Sequence, residues 1–511
     1  SSDGRNGLQP AAVRVISILA RTQGDASGLE EVLSALGELR KTLSSESTAK
    51  NPPIVFERWA FPCLEVLRVH CNRLSADLDV ERREDAADTS AKDVARRRLV
   101  IESALQVLSE AMQKTGGSQD AETNVRVFSS LAGPFSLKKK GAYESLCSEA
   151  LLALNSLCTS SVTPNAAFHR KEVVPMIGFT VSTLLSIAHE EARAGSVGSK
   201  SLRSSALGAL NYLVKFIDDA DTLAFFLPGI VSGLVKVFAT ASGMQPNLGA
   251  GPGGAGVDGV EHALKCMASI LSCVLSDRLY VDELNKVNTG SEKATLEDML
   301  DELILMSKCE AENAQNISTT AVGVENSRKD FTVQRNSSWL RDTCDKVETA
   351  LLATFPTFLR SRRVSAKLAL GEAAYNIMRH CSRTLGENVR RCLLECLLTF
   401  AGDSWSQVSE PVKNNLSILD TSGLIFEGDL EHIIRREFSL IADTLRSTQD
   451  EAAVHLQRLL VSLKLAGPCR VKEVLLVSPG SRRTLCSTIL ESLFIQNNNL
   501  VASTALGIRL I

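Results

Sequence analysis

Four consecutive runs of apolar residues, spaced three and four positions apart, lie between Phe331 and Leu419. This spacing places the side chains of each run on one face of an α-helix. Short polar segments separate the runs, so the sequence predicts four helices joined by turns, with Asp403 as the N-cap of the fourth. The runs are Leu340, Cys344, Val347, Leu351, Phe355 and Phe358; Val364, Leu368, Gly371, Tyr375 and Met378; Val389, Cys392, Cys396, Leu397 and Phe400; and Trp405, Val408, Val412 and Leu416.

Two such helices together occupy about 40 residues, which is the period of HEAT and armadillo repeats. A helix pair of this size cannot bury its apolar face alone, so each pair must stack on its neighbours. Similar patterns recur along the chain, and aromatic residues make up only 5% of it, which favours helices over sheets. The sequence therefore predicts an all-α fold, an α-solenoid of HEAT/armadillo-like helical repeats with disordered or flexible inserts.

The pattern divides the chain into segments. We expect N-terminal HEAT-like repeats over 1–240, a glycine-rich loop at 241–260, helical repeats over 261–309, a polar linker at 310–330 and central HEAT-like repeats over 331–511. The last segment is expected to continue beyond the end of this chain, as in a fragment of a longer protein.

Local composition adds detail to these segments. A charged, poorly periodic stretch predicts a loop insert at about 75–93, and glycine makes a helix untenable within 242–259. Ala294 to Met306 reads as a helix, and Lys472 to Val477 is compatible with a short strand that has no partner. Prolines inside helical patterns predict kinks at Pro62, Pro228, Pro356 and Pro411.

Bulk charge and cysteine usage restrict the class of protein. The formal net charge of -3 lacks the basic excess that phosphate contacts need, so we expect no nucleic-acid partner. The 13 cysteines are odd in number and unclustered, which is typical of reduced, buried thiols. No uninterrupted apolar run reaches the length of a membrane span and no signal peptide opens the sequence. We expect a cytoplasmic protein, with the nucleus as a second location, and no membrane partner.

Two fragments imitate nucleotide-binding motifs. Gly249, Gly251 and Gly254 satisfy GxGxxG, but proline and further glycines stand where a strand and a helix would be needed. In the stretch from Gly195 to Ser201, Ser199 interrupts the Gly-Lys step of a P-loop. Both are predicted to be loops, the second leading to a helix N-cap, and we expect no cofactor.

A zinc site is the main enzymatic hypothesis. His380 and Cys381 could converge with Cys392 and Cys396 on a metal ion. Cys392 and Cys396 lie on an apolar stripe, however, so core packing is the favoured interpretation and neither a metal nor a catalytic residue is predicted. Stoichiometric zinc in the purified protein would restore the enzyme hypothesis.

Arginines at two predicted turns are the candidate binding residues. Arg360, Arg362 and Arg363 occupy one inter-helix turn, and Arg390 and Arg391 begin the following helix. Regular stacking would align them as a basic ridge for an acidic partner segment. The alternative is that they are solvated turn residues.

Tryptophan is a frequent binding residue, but two of the three tryptophans are predicted to be core. Trp339 and Trp405 open two helices of the same block, and we expect both between the repeats.

Three stretches carry a family resemblance. QRNSSWLRDTCDKV (334–347), VSAKLALGEAAYNIMRHCSRTLGENVRRCLLECLLTFAGDSWSQV (364–408) and TLAFFLPGIVSGLVKVF (222–238) resemble the Tti-one family. The resemblance covers about a quarter of the chain and contains no catalytic signature, so it implies an architecture and a set of partners but no reaction.

The resemblance implies a non-enzymatic scaffold. Tti-one is the large HEAT-repeat subunit of the triple-T co-chaperone complex, with Tel-two-like and Tti-two-like subunits. With the Hsp90 co-chaperone machinery that complex stabilises and matures PIKK-family kinases, the phosphatidylinositol-kinase-related kinases of the TOR, ATM and ATR types. An importin-like or other HEAT/armadillo transport adaptor is the alternative; it predicts ordered Asn/Trp arrays on inner helices, and only three Trp are present.

Overall fold

Every secondary-structure element in the described part of the chain is a helix. The computed structural model describes residues 10–46, 56–81, 88–118, 120–138, 144–160, 166–194, 197–241, 259–281, 333–446, 449–477, 482–483 and 485–490. No strand occurs within these ranges. The predicted all-α class is confirmed.

Within the described residues, ten α-helices precede residues 282–332, which lie outside the description and are called the gap below. They are α1 (Pro10–Thr22), α2 (Leu29–Glu46), α3 (Glu57–Glu81), α4 (Asp88–Thr115), α5 (Ala121–Lys138), α6 (Glu144–Ser160), α7 (Val174–Arg193), α8 (Lys200–Ile217), α9 (Ala220–Ala241) and α10 (Val260–Val274). Six follow it: α11 (Ser337–Thr354), α12 (Val364–Cys381), α13 (Glu387–Ala401), α14 (Ser406–Thr421), α15 (Glu427–Arg446) and α16 (Gln449–Lys472).

Successive helices alternate between two layers. In the first layer α1, α3, α5, α7, α9, α11 and α13 each pack on the next, and in the second layer α2, α4, α6, α8, α10, α12 and α14 do the same. The layers pack on each other through consecutive helices such as α3 with α4 and α7 with α8. Because α9 contacts α11 and α10 contacts α12, the stack continues across the gap. This is the predicted solenoid.

The repeat is longer in the first half of the chain than the sequence indicated. The second-layer helices begin at Leu29, Asp88, Glu144, Lys200 and Val260, which lie 56 to 60 residues apart. Long helices account for this, since α3 has 25 residues and α4 has 28. The predicted period of about 40 holds between the starts of α12 and α14, which are 42 residues apart.

An acidic side chain joins the helices on either side of the gap. Asp277, just after α10, accepts hydrogen bonds from the backbone N–H groups of Arg383 (3.1 Å) and Thr384 (2.8 Å) and from the hydroxyls of Thr384 (2.7 Å) and Ser382 (3.2 Å). The carboxylate thereby fixes the turn that follows α12 against the end of α10. A tertiary contact, rather than a short connection, therefore holds α12 in register with α10.

The loop predicted at about 75–93 is wrong for most of its length. Helix α3 continues to Glu81 and α4 begins at Asp88, and 82–87 lie outside the described residues. Leu78 and Val94 are buried, so these charged helix ends still carry apolar contacts. Tertiary packing stabilises helix here despite weak periodicity.

Helix α5 was not predicted at all. Its sequence contains Gly133 and Pro134, both unfavourable inside a helix. The side chains of Val127, Phe128, Leu131 and Phe135 are nevertheless buried between its neighbours. The packing of these apolar residues outweighs the local propensity.

Other expectations have mixed outcomes. Pro62, Pro228 and Pro411 lie inside helices as predicted, whereas Pro356 lies in a short 3₁₀ turn after α11. Residues 473–477 form a helical turn rather than a strand. The helix expected at Ala294–Met306, the polar linker and the interior of the glycine-rich loop lie outside the described residues.

Helix α9 is long and apolar enough to cross a membrane by composition. Half of its apolar window is buried within the fold, where it packs on α7, α10 and α11. Its place at the centre of the stack explains its composition.

Candidate protein-binding surface

The first turns of α12 and α14 lie side by side at one edge of the second layer. Lys367 Nζ, in the first turn of α12, lies 2.5 Å from Oδ2 of Asp403, just before α14. Oδ1 of Asp403 accepts the backbone N–H of Trp405 at 2.9 Å. Asp403 was predicted to be the N-cap of α14, but that position belongs to Trp405. The Asp403 carboxylate instead stabilises the turn before α14 through its hydrogen bond with Trp405, and it neutralises Lys367 of α12.

Three of the five predicted arginines lie at this edge. Arg360, Arg362 and Arg363 are exposed in the turn that leads into α12, and Arg363 is the N-cap residue. The backbone N–H of Lys367 donates to the carbonyl of Arg363 at 3.2 Å, so Arg363 lies one helical turn from the lysine that contacts Asp403. We call Arg360, Arg362, Arg363, Lys367, Asp403 and Trp405 the α12–α14 edge.

Trp405 is part of this edge, contrary to the prediction that it packs in the core. It remains 55% exposed, whereas Trp339 is half-buried and packs against the core. The apolar run that suggested burial included Trp405, but α14 begins one residue later, at Ser406. Trp405 therefore lies before the first turn of the helix. An exposed tryptophan and exposed arginines on one edge have the composition of a protein-binding hot spot.

Arg390 and Arg391 do not belong to the same surface. The Nη1 of Arg390 donates to the carbonyls of Ser382 and Leu385 at 3.3 Å, at the end of α12 opposite to Arg363. An 18-residue helix separates the two ends by about 27 Å. The single basic ridge expected from all five arginines is therefore absent from the described structure.

The charges of this second pair are used within the fold. Arg390 Nε and Arg391 Nε lie 3.0 and 3.2 Å from the two oxygens of Asp429, at the start of α15. The guanidinium of Arg390 also stacks 4.5 Å from the ring centroid of Phe426. These contacts fix α13 against α15.

A second ionic cluster holds α16 against α13 and α15, and nothing in the sequence pattern predicted it. Glu437 accepts from Arg436 Nη2 at 2.7 Å and lies 2.9 Å from Nδ1 of His455. Arg458 lies 3.3 Å from Glu395, which also pairs with Arg436. Burial raises the pKa of Glu437, but Arg458, Arg436 and His455 more than offset it, so the pKa lies below its usual value.

The three cysteines considered for zinc are core residues, whereas His380, the fourth residue considered, is half-buried. Cys396 is fully buried, and its hydrogen bond with Cys392 and its burial raise the pKa of the Cys396 thiol. Cys381 donates to the carbonyl of Leu271 at 3.4 Å, which uses its thiol in packing α12 on α10. No cluster of three or more His, Cys, Asp or Glu able to hold a metal occurs among the described residues. The interpretation of Cys392 and Cys396 as core is confirmed.

The segment that resembled a P-loop begins a helix. The side chain of Ser199 caps α8 by accepting from the N–H of Leu202 at 3.2 Å, and its own N–H donates to Glu191 at 2.9 Å. The GxGxxG glycines Gly249, Gly251 and Gly254 lie outside the described residues.

Two open grooves lie between consecutive first-layer helices. The α7–α9 groove, of about 380 Å³, is lined by Gly178, Val181, Ser182, Leu185, Ser186 and His189 of α7 and by Phe225, Phe226, Gly229, Ser232, Gly233 and Lys236 of α9. The α3–α5 groove, of about 500 Å³, includes Phe61, Glu65, Arg68, Glu122, Arg126 and Gly133. Neither groove was predicted, because each is made by residues about 50 to 60 positions apart.

Comparison with known proteins identifies one family. The model of the TTI1 N-terminal TPR domain matches residues 90–404, which is more than half of the chain. The match runs from α4 to the turn before α14 and includes the α7–α9 groove and most of the α12–α14 edge. No curated protein matches the chain.

Proposed function

The chain belongs to the TTI1 (Tti-one) family, and from that premise we propose that it is the scaffold subunit of a triple-T co-chaperone complex. In this role it binds Tel-two-like and Tti-two-like subunits and, with the Hsp90 machinery, stabilises and matures PIKK-family kinases of the TOR, ATM and ATR types. The family match over residues 90–404 is the observation that carries the proposal.

The architecture is suited to such a role. Two layers of stacked helices offer a long surface on which a large client and several partners can bind at the same time. Holding two proteins on one body raises their effective concentration, so weak contacts between them become productive without any chemical step. A cytoplasmic location, with a nuclear pool, follows from this role and is part of the proposal.

We place one partner contact at the α12–α14 edge. Arg362, in the same exposed turn as Arg360 and Arg363, supplies a planar guanidinium group that binds carboxylates, and Trp405 supplies a large apolar anchor on the same edge. The partner segment would therefore carry acidic side chains next to an apolar one. Lys367 is not expected to contribute, because Asp403 neutralises it.

Affinity purification of the full-length protein tests the complex. Recovery of Tel-two-like and Tti-two-like proteins, with loss of the kinases on depletion, is the expected result. Absence of both partners together with unchanged kinase levels would overturn the proposal.

A paired variant tests the surface. Trp405→Ala combined with Arg362→Glu should weaken recovery of at least one partner, while Lys413→Glu on the exposed side of α14 serves as the control. Equal recovery with both variants would remove the α12–α14 edge from the proposal but leave the complex intact.

The transport-adaptor alternative gains no support from the tryptophans. Such adaptors need ordered Trp on successive inner helices. Here Trp59 is buried in α3, Trp339 is half-buried in α11 and Trp405 is exposed at α14, so the three do not form an array.

A further inference from the structure

The sides of α7 and α9 that line the α7–α9 groove fit together, with the large side chains of each helix opposite glycines of the other. A side chain on Gly178 would approach the ring of Phe226 to 3.1 Å, and one on Gly233 would approach Leu185 to 2.6 Å. Each bulky side chain therefore packs over a glycine of the opposite helix. The lining residues of α7 run from Gly178 to His189, eleven positions, so the groove is about 16 Å long.

The floor and walls of this groove are apolar or small. Phe225 is 39% exposed and packs edge-on against Phe226, with ring centroids 5.1 Å apart. Gly229, which lies on α9 between Phe226 and Gly233, leaves open space, because no atom beyond its chain neighbours and its own helix backbone lies within 4 Å of where its Cβ would be. An apolar side chain entering here would be removed from water against Phe225, Phe226 and Leu185.

One end of the groove is positively charged. Lys236 is the only charged residue among those lining it, and it is exposed. His189 lies beside it, and its buried Nδ1 has no hydrogen-bond partner in the described structure. Burial, followed by the nearby charges of Arg193 and Lys236, lowers the pKa of His189, so the ring is neutral near pH 7.

The other groove in the same layer differs in this respect. In the α3–α5 groove Arg68 pairs with Glu65 at 2.8 Å, and Glu122 pairs with Arg170 at 2.8 Å. Its lining contains two acidic and two basic side chains, whereas the α7–α9 groove carries a single cation over an apolar floor. Of these two grooves, only the α7–α9 groove has a charge that selects for an acidic ligand.

We propose that the α7–α9 groove binds an acidic amphipathic helix of a partner protein. Apolar side chains of that helix, three or four positions apart, would lie over Gly229 between Phe225 and Leu185, and an acidic side chain at one end would meet Lys236. The length of the groove matches about three helical turns. Binding here does not depend on the α12–α14 edge or on membership of a triple-T complex.

A peptide with this chemistry is available from the chain itself as a probe. Residues 294–306, ATLEDMLDELILM, contain four acidic side chains and no basic one, with apolar Leu296, Leu300 and Leu303 at helical spacing. We would measure binding of the fluorescently labelled peptide to the full chain by anisotropy, at low and at physiological salt.

Two groove variants and two matched controls locate the binding. Gly229→Leu fills the open space without a clash and should weaken binding at least tenfold, whereas Gly37→Leu, equally open on α2, should not. Lys236→Glu should weaken binding about tenfold at low salt and reverse the sign of its salt dependence, because salt then screens a repulsion, with Lys215→Glu as the exposed control. Equal binding to all four variants, or no binding to the full chain, would overturn the proposal.

A further arm distinguishes a partner's helix from the chain's own segment. In a chain with 294–306 replaced by Gly and Ser, the peptide should bind as it does to the full chain. If residues 294–306 occupied the groove of their own chain, they would compete with the peptide at a millimolar effective concentration. Much tighter peptide binding after their replacement would therefore show that the chain fills its own groove. That result would overturn the assignment to a partner protein.

Discussion

The Nε atom of Arg390 lies 3.0 Å from Oδ2 of Asp429, a carboxylate whose side chain is only 4% exposed. Arg391 approaches the other oxygen of the same carboxylate, at 3.2 Å. One acidic residue at the start of α15 therefore pairs with two adjacent arginines of α13, and the second of them, Arg391, also pairs with Glu387. The pair therefore stabilises the packing of α13 on α15, and we leave it out of the proposed binding edge.

Removing that carboxylate should destabilise the C-terminal repeats. Asp429→Ala leaves the partly buried guanidinium of Arg390 without its anion and leaves Arg391 with only the exposed Glu387 as a partner, at an expected cost of about 2 to 4 kcal/mol in the free energy of unfolding. The urea midpoint of the full chain measures this. Glu410→Ala, which removes an exposed pair with Lys413 on α14, is the control and should change the midpoint little. Equal shifts would show that the Asp429 contact contributes no more than a surface pair.

Adjacent leucines of α11 should respond very differently to the same substitution. Leu351 is fully buried and Leu352 is 37% exposed. Leu351→Asp places an unpaired charge in the core and should cost several kcal/mol, on the order of 4, whereas Leu352→Asp should cost less than about 1. Thermal melting of both variants checks the prediction. Leu368→Asp should fall between them, because Leu368 is only half-buried. Similar melting temperatures for the Leu351 and Leu352 variants would contradict the assigned helix face.

His70 should make stability depend on pH in the mildly acidic range. The side chain is 1% exposed, and burial, with the charges of Arg97 and Arg73, lowers its pKa from 6.5 to about 4. The unfolded chain therefore binds this proton at a higher pH than the folded one does. Protonation of His70 therefore does not affect the free energy of unfolding above pH 6.5. As the pH falls from 6.5 towards 4, the free energy of unfolding decreases by an amount on the order of 2 to 3 kcal/mol.

A His70→Leu variant isolates that effect. Neither ring nitrogen of His70 has a hydrogen-bond partner in the described structure, so leucine should leave stability unchanged or raise it by about 1 kcal/mol at pH 7. The variant should also lose less stability than the parent between pH 6.5 and 4. His432→Leu, at an exposed site on α15, is the control. Parallel pH curves for His70→Leu and the parent would refute the assigned cause.

Thiol reactivity should separate two cysteines from the others. Cys469 and Cys486 are exposed, whereas burial raises the pKa of Cys63, Cys71 and Cys266 to about 12. In a chain with Cys309 changed to Ser, because Cys309 lies outside the described residues, a thiol reagent at pH 8 should label two sites quickly. Labelling after denaturation supplies the total. Rapid loss of more than two thiols in the native protein would contradict the assigned burial.

Local spacing was enough to predict most helices. In α11 and the 3₁₀ turn that follows it, Val347, Leu351, Phe355 and Phe358 are buried as their spacing indicated. Helix α5 and the ends of α3 and α4 were missed, because Gly, Pro and charged residues hide a face that only neighbouring helices make favourable. The prediction that Trp405 is buried was also wrong, because Trp405 lies one residue before α14 and is exposed.

The sequence by itself determined that the chain folds into amphipathic helices and that these must stack, because apolar residues at helical spacing leave each helix with a face that only another helix can cover. The tertiary structure decided which charged and aromatic residues remain available. Asp429 pairs with Arg390 and Arg391 from 39 and 38 positions away, and the α7–α9 groove joins residues such as Gly178 and Phe226. Electrostatic pairing and groove shape depend on distances in space, which spacing along the chain does not contain.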